Sequence, residues 1–153
     1  MAKETTINTD VLVIGGGMVG CEVADFLAEP EDNAIVGPVS VTIVEMLISI
    51  AEEMQPEPRY LLLQNLRRKG VNWITRAQVK EVLDDGILFV RDGQEEAVHD
   101  LECIVLAVGT SPADDLSHTL KSAVPELYVI GDAKEPRTAL AAIAEASEVA
   151  RKI

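Results

Sequence analysis

At 153 residues with 48% hydrophobic content, the chain is long enough for one packed domain and too short for a second of ordinary size. A net charge of −13 sets aside nucleic acid and anionic membrane as partners, so any phosphate binding must come from local backbone amides. No apolar run approaches the roughly 18 residues of a membrane span, and 3% aromatic content beside abundant aliphatics suits a parallel sheet covered by helices.

Residues 1–9 read as a flexible polar lead-in. Val11–Ile14 is a short aliphatic run, right for a buried parallel strand. Gly15, Gly17 and Gly20 then match G-x-G-x-x-G, and Val19, Val23, Phe26 and Leu27 recur at helical spacing. Strand, glycine turn and helix stand in the order of a dinucleotide-binding βαβ unit. Gly15 turns the chain out of the strand, a Cβ at Gly17 would block a pyrophosphate, and one at Gly20 would push the helix off the sheet. The helix start offers unpaired N–H groups and a partial positive charge. A glycine-rich turn with no ligand is the bland alternative, and the surrounding strand and helix weigh against it.

Residues 30–40, with two prolines and a glycine, form an unusually long polar loop. Val41–Glu45 is the second strand and ends on an acid. Glu45 lies 25 residues past Gly20, against about 20 in the usual pattern, and the long loop accounts for the excess. A carboxylate there can accept both hydroxyls of an adenosine ribose and would repel a 2′-phosphate. No Arg or Lys follows before Arg59, which favours NADH over NADPH.

Glu57–Lys69 reads as a helix with Leu62, Leu63 and Leu66 on its apolar face. Arg67, Arg68 and Lys69 make a solvated last turn suited to the helix dipole, and Gly70 stops it. Val71–Thr75 is the third parallel strand. Residues 76–101 then change pattern: Gln78–Leu83, Gly86–Arg91 and Glu95–Leu101 are short runs separated by Asp84-Asp85-Gly86 and Asp92-Gly93, the signature of a three-stranded antiparallel meander. Cys103–Val108 is a fully apolar strand running into Gly109-Thr110-Ser111-Pro112. Asp114-Asp115 can cap a helix over Leu116–Leu120. Leu127–Ile130 reads as a further strand entering Gly131-Asp132, and Ala139–Lys152 as an alanine-rich helix. The expected fold is α/β and Rossmann-like: a parallel sheet of about five strands, helices on one face and the meander on the other.

Cys21 and Cys103 belong to no C-x-x-C, so neither a redox dithiol nor a zinc site is indicated; with no secretory segment they suggest a reducing, cytoplasmic setting. Cys21 is best read as a small residue packed beneath a dinucleotide, Trp73 as core or edge packing, and His99 and His118 as isolated surface residues. No metal ligand set and no catalytic acid, base or nucleophile stands out. The Tyr-x-x-x-Lys of short-chain dehydrogenases is absent, since Gln64 follows Tyr60 and Asp132 follows Tyr128 at that spacing.

The segments VLVIGGGMVGCEVADFLAE (11–29), VTIVEM (41–46), CIVLAVGTSP (103–112) and ELYVIGDAKEPRTALAAIAEASEVARKI (126–153), in that order around a meander, resemble the pyridine nucleotide-disulfide oxidoreductase superfamily. Within it they are most similar to the nucleotide-binding part of NADH:flavin oxidoreductases of the 2,4-dienoyl-CoA reductase and trimethylamine dehydrogenase type. The resemblance covers residues 10–153 and implies a single dinucleotide-binding domain there, with 127–153 corresponding to the tail of a host FAD domain. It implies cofactor contacts at Gly15, Gly17, Met18, Val19, Gly20, Glu45, Val108, Gly109 and Thr110, and a flavin contact at Asp132 in a full-length parent. A second G-x-G-x-x-G, an iron–sulfur cysteine cluster and a barrel are all missing from the pattern. The expectation is therefore a fragment that binds NADH and passes hydride to a flavin in FAD- or flavin-bearing partner domains, inactive on its own, with a homodimer surface where the host would sit. Two alternatives stay open: a non-catalytic ADP- or FAD-binding docking or sensing domain, and an S-adenosylmethionine-dependent methyltransferase, against which the meander argues.

Overall fold

The computed structural model describes residues 3–4, 9–29 and 39–153. Most of the loop expected over 30–40 and most of the lead-in thus lie outside the described residues. The chain divides into two compact units, Met1–Gly109 and Thr110–Ile153.

In the first unit, β1 is Lys3–Glu4, β2 Val11–Ile14, α1 Met18–Leu27, β3 Val41–Val44, α2 Pro56–Arg68, β4 Asn72–Ile74, β5 Ala77–Val82, β6 Ile87–Arg91, β7 Gln94–Val98 and β8 Cys103–Leu106. A four-stranded parallel sheet runs β4-β3-β2-β8, with Val11 level with both Val41 and Cys103. A second sheet, β1-β7-β6-β5, contains the antiparallel meander. Its Asp92-Gly93 hairpin has φ of 50° and 79°, the left-handed pair that a two-residue turn between twisted strands requires. Inside the expected lead-in, Lys3–Glu4 pair in parallel with Glu96–Ala97.

Side-chain alternation along β2 divides the core in two. Val11 and Val13 point to the helices and pack with Cys21, Ala24, Val41, Ile43 and Leu66. Leu12 and Ile14 point the other way and pack with Val44, Ala77, Ile87, Phe89 and Val98 of the meander side. Helices on one face and the meander on the other are therefore as expected. The apolar face of α1 is not: Val19 and Phe26 are exposed, and Gly20, Cys21 and Ala24 are buried instead. Small residues let the helix axis approach the sheet beneath the glycine turn, which a valine or phenylalanine would hold off.

The basic end of α2 also differs from a solvated turn. Lys69 Nζ is buried between the helices, 3.0 Å from Asp25 Oδ1, 2.7 Å from the Asp25 carbonyl and bonded to Glu29. Burial alone would lower its pKa; the Glu29 and Asp25 contacts more than reverse this and leave it raised. Arg67 lies 5.3 Å from the Trp73 ring centroid, giving that packed tryptophan a cationic lid.

In the second unit, α3 is Asp115–Leu120, a 3₁₀ turn covers Gly131–Ala133, and α4 is Ala139–Ala150. Leu127–Ile130 is not a strand, so the parallel sheet has four strands, not five. A short apolar run forms a parallel strand only when a neighbouring edge supplies its hydrogen bonds; Leu127 and Tyr128 are exposed here. Glu145 of α4 clamps the 3₁₀ turn, accepting from Gly131 N at 2.8 Å and Lys134 Nζ at 2.9 Å and bonding Arg137. Among the described residues no helix is long and apolar enough to cross a membrane.

Candidate functional site: the glycine turn and its acids

The strand β2 ends at Ile14 and Gly15 leaves it with φ of 102°, its N–H donating to Val44 O at 2.9 Å. A Cβ on Gly15 would stand 2.2 Å from Ala107 O, and one on Gly20 would stand 1.8 Å from Gly15 O. Both glycines are demanded by backbone approaching backbone. Gly17 is of another kind. Its φ of −68° and ψ of −174° suit any residue, and among the described residues a Cβ would meet only the Glu53 carboxylate, Oε1 at 3.0 Å and Cδ at 3.8 Å. The middle glycine thus keeps backbone and core side chains away from the start of α1, where helix geometry turns N–H groups outward.

Glu45 stands across from it, buried just past the end of β3. Its Oε2 accepts from Gly16 N at 2.6 Å and its Oε1 from Leu47 N at 2.7 Å. A carboxylate can accept about four hydrogen bonds, so two backbone donors fix its orientation and leave capacity for two hydroxyls.

Between β3 and α2 the chain folds over the glycine turn. Ala51 N donates to Gly16 O at 2.6 Å, and Ile50 and Ala51 are buried in the helix-side core. A Cβ on Gly16 would lie 2.5 Å from Ile50 Cγ2, so the second glycine of the 15–17 run is tightly packed as well. Arg59 of α2 holds this segment, its Nε 3.1 Å and Nη2 2.9 Å from Ile50 O, with Nη2 also bonded to Ser49. Beyond Ala51, whose φ is 53°, the chain turns back and Glu53 Oε1 accepts from Met18 N, the first residue of α1. Neither Glu53 nor Gly16 stood out in the sequence. The segment 46–55 has no periodicity to place it, and the paired acids Glu52-Glu53 just before a Pro-initiated helix were the one signal present.

Of the other expected site residues, Met18 and Val19 are exposed at the helix start and Val108 is exposed after β8. Ala107 N donates to Ile14 O at 2.8 Å, which sets Val108 and Gly109 directly after the stretch that flanks Gly15. Thr110 and Asp132 belong to the second unit. There Asp132 Oδ1 accepts from Arg137 N at 3.4 Å, inside the Glu145 clamp. Cys21 is fully buried with Sγ donating to Gly16 O at 3.3 Å; burial, then Glu53 and Glu45, push its pKa up to about 12, so it is packing and not a thiolate. His99 is exposed as expected but not isolated: its Nδ1 lies 3.0 Å from Asp85 Oδ1 across a meander turn. Arg76, exposed after β4, ties the backbone there to the end of β3, its N–H donating to Leu47 O at 2.8 Å. Among the described residues no group of His, Cys, Asp or Glu is placed to hold a metal ion.

The chain is 36% identical over 146 residues to an NADH oxidase of Thermoanaerobacter brockii, covering 94% of this chain and 21% of that protein. It is 29% identical over 174 residues to a metal reductase of Desulforamulus reducens, covering 99% and 26% respectively. The chain therefore spans about a quarter or less of these relatives' length. Among solved structures, histamine dehydrogenase from Rhizobium sp. 4-9 superposes with a TM-score of 0.77 at 14% identity, over 99% of this chain and 26% of that one. A 2-naphthoyl-CoA reductase complex superposes with a TM-score of 0.75 at 23% identity, over 96% and 22%. These two likenesses carry the fold alone. The family model for pyridine nucleotide-disulphide oxidoreductase matches residues 2–146, and the chain belongs to that family.

Proposed function

We propose that the first unit is the NADH-binding module of a flavin-dependent oxidoreductase, passing hydride to a flavin held by further parts of a longer protein. The family supplies the coarse frame, redox chemistry that depends on NAD(P) and FAD. The observation that carries the finer reading is the Glu45 carboxylate, fixed by Gly16 N and Leu47 N one strand over from a glycine turn whose middle member, Gly17, faces only the exposed Glu53 carboxylate among the described residues.

In this reading the amides at the start of α1 take the diphosphate, aided by the helix dipole. Glu45 accepts the two ribose hydroxyls and repels a 2′-phosphate. Arg59 is engaged by the Ser49–Ile50 backbone and side chain and so does not offset that repulsion. Val108 and Gly109 border the nicotinamide end, and Asp132 serves a flavin only in the full-length parent. The nucleotide, when bound, supplies the hydride; this chain binds, orients and selects. The fraction of each relative that the chain spans fits flavin-bearing partner domains lying elsewhere.

Calorimetric titration of the purified chain with NADH, NADPH and ADP tests the reading. NADH should bind more tightly than NADPH and ADP, with no turnover. Equal or absent binding of NADH and NADPH refutes it. ADP binding as tightly as NADH would favour a docking or sensing module that reads the ADP half alone.

A further inference from the structure

We infer that Glu53 is an internal occupant of the diphosphate position, a carboxylate that must be displaced before a nucleotide can bind. This rests on the nucleotide-binding reading of the glycine turn given above. Three observations carry it. Glu53 Oε1 accepts from Met18 N, the first amide of α1, and so satisfies a donor that the proposed diphosphate would use. The same oxygen stands 3.0 Å from where a Gly17 Cβ would lie, and with its own Cδ makes up all that such a Cβ would meet within 4 Å among the described residues. The acid is brought there by a built turn: Ala51 N is held by Gly16 O, Ala51 adopts a left-handed φ of 53°, and Met54 N closes on Ala51 O at 3.2 Å.

The chemistry of the contact favours exchange. An anion at a helix N-terminus is stabilised by the dipole and by the amide it caps. N-cap Gly17 has no side chain to satisfy that amide, and α1 has no acid in its first turn. Glu53 therefore caps the helix from outside, on an exposed side chain that rotates away without disturbing Ile50 or Ala51. A diphosphate brings more negative charge to the same amides. The two cannot share the position, since like charges at contact repel. Loss of the Glu53 carboxylate removes both the competing cap and the repulsion.

The prediction has a signature that a merely structural residue would not produce, opposite signs for stability and affinity. Glu53→Ala should lower the melting temperature of the ligand-free protein and bind ADP about two- to fivefold more tightly, the range an exposed carboxylate at a helix terminus commands. Glu53→Gln, which keeps a capping oxygen without the charge, should fall between wild type and Glu53→Ala in both measurements. Glu52→Gln removes the same charge one residue away without the contact, and should change ADP affinity less than either. Titration with ADP by calorimetry, beside thermal melts of each ligand-free protein, reads all four. Weaker ADP binding in Glu53→Ala, or equal gains in Glu52→Gln and Glu53→Gln, overturns the inference. If wild type binds ADP and Glu53→Ala binds it no better, this inference fails and the nucleotide site stands; if no protein binds ADP or NADH, both fall.

Discussion

Gly17→Ala separates the binding role of the glycine turn from its folding role. At Gly15 and Gly20 a Cβ would collide with backbone at 2.2 and 1.8 Å, and overpacking of that severity costs about 3 kcal/mol or more. At Gly17 the backbone is already extended, φ −68° and ψ −174°, and only the movable Glu53 carboxylate is in reach. Alanine is a poorer N-cap than glycine by up to about 1 kcal/mol, and it restricts the unfolded chain by a similar 0.4–1 kcal/mol or so. The two nearly cancel. The melting temperature should therefore move by less than about 4 °C. The added methyl, however, fills the space proposed for the diphosphate, so NADH affinity should fall at least about tenfold, or 1.4 kcal/mol. Circular dichroism melts and NADH titration of Gly17→Ala, with Gly20→Ala as the folding-defective contrast, check both halves. A Gly17→Ala protein that melts normally and binds NADH within twofold of wild type refutes the placement of the phosphates.

Other outcomes follow from the packing. Thr42 Oγ1 is buried with no hydrogen-bond partner among the described residues, so Thr42→Val, which keeps the shape, should raise stability by about 1 kcal/mol in urea denaturation. Lys69→Met leaves Asp25 and Glu29 without their buried cation; because both acids are partly solvated, the loss should be about 1–2 kcal/mol in the same assay, below the cost of breaking a fully buried pair. The Lys134 ammonium, the Arg137 guanidinium and the Gly131 N–H hold the Glu145 carboxyl down to about 2 from 4.5. A depressed acid contributes stability above its unfolded value and loses it as pH falls through its folded one. The 3₁₀ turn and α4 should accordingly loosen between about pH 4.5 and 2, followed by NMR of the Gly131 amide, and Glu145→Gln should show the loosened state already at neutral pH.

Much of the first unit is legible in the sequence because its signals are local. The runs at Val11–Ile14 and Val41–Val44, the proline and glycine that bound α2, and the Asp92-Gly93 turn each specify their own geometry. What the sequence does not reveal depends on partners distant along the chain. Lys69 reads as one more cation in a basic helix end until α1 is packed beside it, presenting Asp25 and Glu29. Val19 and Phe26 read as a core face until the sheet turns out to admit only small residues. Leu127–Ile130 has the composition of a strand and lacks a strand beside it, so composition alone misleads. The site divides the same way: the glycines and Glu45 follow a spacing rule, whereas Glu53 reaches Met18 only through the fold of an aperiodic segment.

All four residues of β2 are buried, and the strand is flanked on one side by β3 and on the other by β8. Amides there should exchange with solvent among the slowest in the unit, since opening them requires both neighbouring ladders to part. The glycine turn springs directly from this rail, with Gly15 N tied to Val44 O. Its first amides are accordingly set in place before any ligand arrives, and a bound anion loses little affinity to the ordering of the loop that receives it.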